Sequence, residues 1–224
     1  MMSFFATLND GEYQLTTAGY TALVILMLAL LLAGCAIFGG RKKFSAKQLA
    51  FSAIAIALAM VTSMLKLFHL PMGGSITLFS MLFITLIGYW YGLGVGLTAA
   101  VAYGILQLLV DPYIISVPQL LLDYIFAFGG LGLSGCFSKA KHGLVWGYLT
   151  GVLGRYFFAF LSGYIFFGMY AEAYTSNATL NGVIYSLLYN GAYILPEAVL
   201  TLILISIPPV GKALERVKRL ATES

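Results

Sequence analysis

Charge is what this chain lacks most. Of its 224 residues only 9% are charged, while 61% are hydrophobic; a soluble domain carries about 25% charged residues. No soluble globule of this size hides so much apolar surface, so lipid must be the solvent for much of it. Cysteine and histidine are nearly absent. Cys35 and Cys136 lie in or at the end of apolar segments, show no CxxC-type spacing, and read as buried or lipid-facing thiols. His69 and His142 fall in opposite loops. Nothing here calls for a metal or a cofactor. The sequence also lacks GxxxxGK[ST], HExxH and GxSxG; Gly211-Lys212 is a Gly-Lys pair without the rest of a phosphate loop. These absences exclude P-loop ATP binding and leave an intramembrane hydrolase without support. The net charge of +4 comes in short clusters, not as a basic stripe with interleaved aromatics, so nothing points to nucleic acid.

What is present is a succession of apolar runs. A membrane helix needs roughly 20 mostly apolar residues. Seven segments qualify: 17–39, 49–67, 76–92, 94–110, 119–137, 144–170 and 183–207. The third and fourth are joined only by Tyr91-Gly92-Leu93-Gly94, which demands a tight turn. The expected fold is an all-α integral membrane protein: six core transmembrane helices preceded by one extra N-terminal helix. Residues 1–43 are expected to hold an external N-terminus, the extra helix and a basic loop. Residues 44–211 form the membrane domain and 212–224 a basic cytoplasmic tail. Orientation follows from Arg41, Lys42, Lys43 and Lys47, then Lys139 and Lys141, then Lys212, Arg216, Lys218 and Arg219. If these three stretches are cytoplasmic, ten of the twelve basic residues lie inside, which puts the N-terminus outside and the C-terminus inside a multi-pass cell-membrane protein. The first segment has Asp10 and Glu12 upstream and its basic cluster downstream, the reverse of a secretory signal.

Polar groups are expensive within such segments and are candidates for function. Asp123, Arg155, Asn190 and Glu197 stand out. Arg155 and Glu197 lie nearer mid-membrane and are expected to neutralise each other as a structural ion pair. Asp123 and Asn190 lie closer to the outer side, where Tyr113, Tyr124, Tyr164, Phe167, Tyr185 and Tyr189 also gather. Singly, each aromatic fits an interfacial belt. A carboxylate, a carboxamide and several tyrosines at one depth together describe a site for a ring-bearing, cationic or amine-bearing small molecule. The second segment places Ala53 and Ala57, and Ala55 and Ala59, four residues apart, as in a flat face for close helix contact.

Four stretches carry a resemblance. They are Gly73-Gly74-Ser75-Ile76-Thr77-Leu78 with Ser80-Met81-Leu82; Pro112-Tyr113-Ile114-Ile115-Ser116 through Gln119 to Leu122-Asp123-Tyr124; Arg155-Tyr156-Phe157-Phe158 with Ser162-Gly163; and Tyr185-Ser186-Leu187-Leu188-Tyr189-Asn190-Gly191. Over the six core segments the chain resembles the substrate-binding S components of energy-coupling factor transporters, most closely their thiamine-specific branch. The resemblance implies a vitamin-binding subunit that works with a transmembrane coupling subunit and two cytoplasmic ATPases. By position, Tyr113, Tyr124, Tyr185 and Asn190 match pocket residues of that family. Asp123 stands where the family often has Glu, Phe167 where Trp can occur, and Ala159 where some members have His. The alanine face of Ala53, Ala55, Ala57 and Ala59 matches the surface that docks on the coupling subunit. An S component for another ring-bearing nutrient, an intramembrane enzyme using Asp123 or Glu197, and a non-transporting scaffold are the alternatives. Only the first of these accounts for the outer polar cluster without a second catalytic group.

Overall fold

The computed structural model describes residues 6–9, 12–19, 21–22, 25, 45–171 and 176–223. Two short strands, β1 (Ala6–Asn9) and β2 (Glu12–Leu15), pair antiparallel near the N-terminus. The extra helix expected over 17–39 lies, beyond a few helical positions up to residue 25, outside the described residues, as do Cys35 and the basic loop at 41–43.

The membrane domain opens with α1 (Ala46–Met64). Ser45 caps it, its Oγ accepting from the Gln48 backbone N–H at 3.0 Å, in the Ser-x-x-Gln spacing typical of helix starts. A hairpin follows: β3 (Lys66–His69) and β4 (Ser75–Thr77) joined through the turn Pro71–Gly73. Next come α2 (Ser80–Tyr91) and α3 (Leu93–Val110), linked by Gly92 alone at φ 88°, a left-handed conformation that glycine adopts without strain. The continuous rod α4 (Val117–Phe137) precedes α5 (Gly143–Phe167) and α6 (Ala178–Ser206). Among the described residues, α1, α3, α4, α5 and α6 are long and apolar enough to cross a membrane.

One expected element is different. Residues 76–92 read as a spanning helix, but α2 starts only at Ser80, after Phe79 takes a left-handed φ of 61°. Its 12 residues rise about 18 Å at 1.5 Å each, well short of a ~30 Å core. Ten of those residues are buried, so α2 is a central post that the other helices surround. The hairpin occupies the depth that α2 leaves.

The expected basic tail is also structured. Helix α7 (Pro208–Thr222) turns Leu214, Val217 and Ala221 toward the bundle and leaves Lys212, Arg216 and Arg219 exposed. Lys218 Nζ lies 3.7 Å from the Tyr89 ring centroid and donates to the Ser138 carbonyl. Burial pushes the Lys218 pKa down, with Glu215 opposing. Tyr91 donates to the Ala221 carbonyl and Lys47 to that of Glu223, so α7 straps the ends of α1 and α2.

Candidate ligand pocket

At the hairpin end of the bundle, α1, α3, α4, α5 and α6 enclose a cavity of about 140 Å³. Its shape begins with an irregularity in α4. After one α turn, Leu121–Phe126 winds as a π-helix before α geometry resumes at Ala127. Such wide turns insert an extra residue and re-aim the side chains they carry, and they recur at functional sites. This one carries Asp123 and Tyr124. Gly104 on α3 lets the wide turn come close: a Cβ there would sit 1.9 Å from the Tyr124 carbonyl oxygen.

The Asp123 carboxylate accepts a hydrogen bond from Gln119 Nε2 at 2.6 Å. A carboxylate has about four acceptor sites, so capacity remains for a ligand. Gln119 is 1% exposed and fully engaged: it also donates to the Tyr113 carbonyl and accepts from the Ile115 N–H. Tyr124 donates to the Asp111 carbonyl and accepts from the Tyr113 N–H at 2.8 Å. Gln119 and Tyr124 thus pin the 111–115 loop, and with it the Tyr113 ring, against α4. Tyr113 and Phe167 stand with ring centroids 6.0 Å apart at 31°.

Helix α6 supplies the opposite wall. Asn190 donates through Nδ2 to Ser186 and accepts at Oδ1 from Tyr193 Oη at 2.8 Å. Its amino group is committed to Ser186, so Asn190 can serve a ligand only as an acceptor. Tyr189 accepts from the Gly74 N–H at 3.0 Å and donates to the Pro71 carbonyl, tying the hairpin down over the cavity. At the rim, Lys66 and Asp111 form an ion pair at 2.5 Å.

Of the residues singled out from sequence, Tyr113, Asp123, Tyr124, Phe167 and Asn190 line this cavity together. Tyr164 and Tyr185 are not in its lining. Tyr164 stacks on Phe160 at 6.4 Å, and Tyr185 stacks behind Tyr189 at 5.8 Å. Sequence reasoning passed over Gln119, Gln107 and Tyr193. Gln107, an amide within an apolar run, was the available signal; its Nε2 donates to Tyr103 at 2.6 Å.

The expected Arg155–Glu197 pair does not form. Glu197, 2% exposed, accepts from Thr77 Oγ1 at 2.6 Å, Ser80 Oγ at 3.1 Å and the Met81 N–H at 2.9 Å. A helix start offers free N–H groups and the positive end of the dipole, so the first turn of α2 takes the place of a cation. Arg155 instead lines the cavity, its guanidinium carbon 4.4 Å from the Phe128 ring centroid.

The four alanines of α1 divide. Ala55 and Ala59 are buried in the core, at 2% and 0% exposure, and cannot meet a partner. Ala53 and Ala57 are exposed beside the outward-facing Ile54, Leu58 and Val61.

Residues 49–215 match the model of the family described as thiamine transporter protein. A thiamine transporter, ThiT, of Bacillus subtilis is 34% identical over 168 residues, covering 69% of this chain and 83% of the relative. Among solved structures, ThiT from Listeria monocytogenes superposes with a TM-score of 0.58 at 26% identity, covering 73% of this chain and 96% of that one. With its apolar helices and the family match over most of its length, the chain belongs to the thiamine transporter protein family, and is a multi-pass membrane transporter rather than an enzyme.

Proposed function

We propose that this protein is the substrate-binding S component of an energy-coupling factor importer, that it captures thiamine from outside the cell, and that a separate coupling subunit with two cytoplasmic ATPases drives uptake. The carrying observation is the cavity itself. It sets a carboxylate with spare acceptor capacity near two aromatic rings, the complement of a cationic ring system. The matching family and the Bacillus subtilis relative carry thiamine in their names, which selects it among ring-bearing cations. The missing phosphate loop supports an ATPase supplied by other chains. The basic clusters after α4 and along α7 support a cytoplasmic C-terminus, with the hairpin end outside. Titration calorimetry of the purified protein tests the reading: thiamine binds saturably at one site per chain. A flat titration, with another ring-bearing nutrient binding instead, replaces the ligand and keeps the site.

Docking belongs to the exposed half of the α1 face. Small residues let helices approach closely, and a large side chain forces them apart. Ala57→Trp and Ala53→Trp are therefore expected to abolish uptake by the assembled transporter while the isolated protein still binds thiamine. Normal uptake by both variants removes α1 as the docking surface. Ala55→Trp is expected to act differently, lowering stability because it overpacks the core.

A further inference from the structure

Helix α7 straps the bundle with one face, and its outer surface is sorted by polarity. The preceding helix, α6, has 29 residues, about 43 Å at 1.5 Å each, more than the ~30 Å apolar core, so its end emerges at headgroup level. There Ile207 is extended and Pro208 and Pro209 follow, so the chain turns into α7 instead of prolonging α6. At about 100° per residue, the exposed Lys212, Arg216 and Arg219 fall within about 60° of one another, forming a basic crest. On one shoulder of that crest the exposed Pro209, Ala213 and Leu220 fall within about 40° of one another. The other shoulder carries Glu215 and Thr222.

The surroundings of α7 extend the same pattern. Lys218 grips the carbonyl of Ser138, and the turn beyond it exposes Lys139 and Lys141. That turn leads into α5, where Trp146 is exposed one turn from the helix start. An indole at the end of a spanning helix marks the depth of the headgroups. Among the described residues, none of the five outward cations has an ion pair. Glu215 lies across the helix from the apolar shoulder and acts on Lys218, while Glu223 follows the helix end.

We infer that α7 lies in the membrane interface and that its basic crest docks on anionic phospholipid headgroups, with the Leu220 shoulder resting on the acyl boundary. A crest facing bulk water would leave Leu220, 63% exposed, in water as well. The headgroup boundary accepts both strips at once, which is how amphipathic helices with a basic polar face bind anionic membranes. Lipid held there braces the ends of α1 and α2, because α7 is tied to them through Lys47 and Tyr91. The inference does not depend on which cargo the cavity takes.

The test is thermal unfolding of the full-length protein in non-ionic detergent, titrated with dioctanoyl phosphatidylglycerol, dioctanoyl phosphatidylcholine or glycerol phosphate. A ligand of the folded state raises the midpoint by mass action. Phosphatidylglycerol is expected to raise it saturably, and the other two are not. Combining Lys212→Gln, Arg216→Gln and Arg219→Gln is expected to raise the phosphatidylglycerol concentration at half-effect by about 30- to 100-fold. Leu220→Ser is expected to raise it by a smaller factor. In the parent, about 0.5 M salt is expected to weaken the effect by screening, and this carries the test if the triple variant fails to fold. Equal stabilisation by phosphatidylcholine overturns the basic crest as the docking element. Equal stabilisation by glycerol phosphate overturns the lipid and makes the crest a site for soluble anions. A triple variant that responds to phosphatidylglycerol like the parent overturns the inference; if it also loses uptake in the assembled transporter, the crest belongs to a protein partner.

Discussion

Asp123→Asn is expected to weaken thiamine binding by about 10- to 100-fold in calorimetry of the purified protein. The estimate comes from the contact that is lost: a charge-assisted hydrogen bond contributes roughly 1.5–3 kcal/mol, and each 1.4 kcal/mol is tenfold in affinity. Asn keeps the size of the side chain, so the cavity shape should survive and the change should read out charge. The Gln119 contact at 2.6 Å is a hydrogen bond donated to a carboxylate oxygen; an Asn carbonyl can still accept it, so the wall of α4 stays in place. Asp123→Glu retains the charge and is expected to be milder, losing affinity only through the extra methylene. An Asn variant that binds as tightly as the parent assigns the carboxylate to holding Gln119 and removes it from the ligand.

The largest expected effect on stability lies at Glu197. Its carboxylate collects three donors, from Thr77, Ser80 and the Met81 backbone, at a site only 2% exposed. Glu197→Ala removes the shared acceptor, leaves Thr77 and Ser80 only each other and the Met81 N–H no side-chain acceptor, and opens a void. Each buried unsatisfied donor costs about 1–3 kcal/mol, and losses in one network are not additive, so a total on the order of 3–5 kcal/mol is expected. The thermal midpoint of the purified protein should fall by roughly 10 °C or more. Glu197→Gln keeps one acceptor oxygen and should fall between Ala and the parent. Since Thr77 belongs to β4, the Ala variant should also loosen the hairpin and weaken ligand binding. An unchanged midpoint would mean that the first turn of α2 finds other partners.

Hydropathy made the spanning helices legible, because lipid imposes length and apolarity on every residue that faces it. The same signal misled at residues 76–79. Ile76, Leu78 and Phe79 are as apolar in a strand and a left-handed turn as in a helix, and their burial comes from neighbours that hydropathy cannot see. The acid at Glu197 and the base at Arg155 looked complementary at similar depth. The partner of Glu197 turned out to be a helix terminus, and a terminus is invisible until its position is known. The alanines were a different case. Residues two apart on a helix point about 200° away from each other, so Ala53 with Ala57 and Ala55 with Ala59 belong to opposite faces on geometry alone. The π turn in α4 had no sequence signal that propensity captures. It nevertheless decides that Asp123 and Tyr124 reach the same cavity from adjacent positions.

The short length of α2 has a further consequence. A bundle of full-length helices would be filled with side chains from end to end. Here one central helix stops about 12 Å short of the ~30 Å apolar thickness, and the vacancy is roofed by a hairpin of only a few residues per strand. The candidate chamber is thus made by subtraction from a solid scaffold. Some of the parts that shape it can change while the bond from Thr77 to Glu197 keeps the hairpin anchored to the helices. Replacing the turn between residues 70 and 74, or the loop at 111–115, amounts to exchanging a stopper on an unchanged bottle. That is a route by which one membrane frame can be refitted for cargoes of different size and charge.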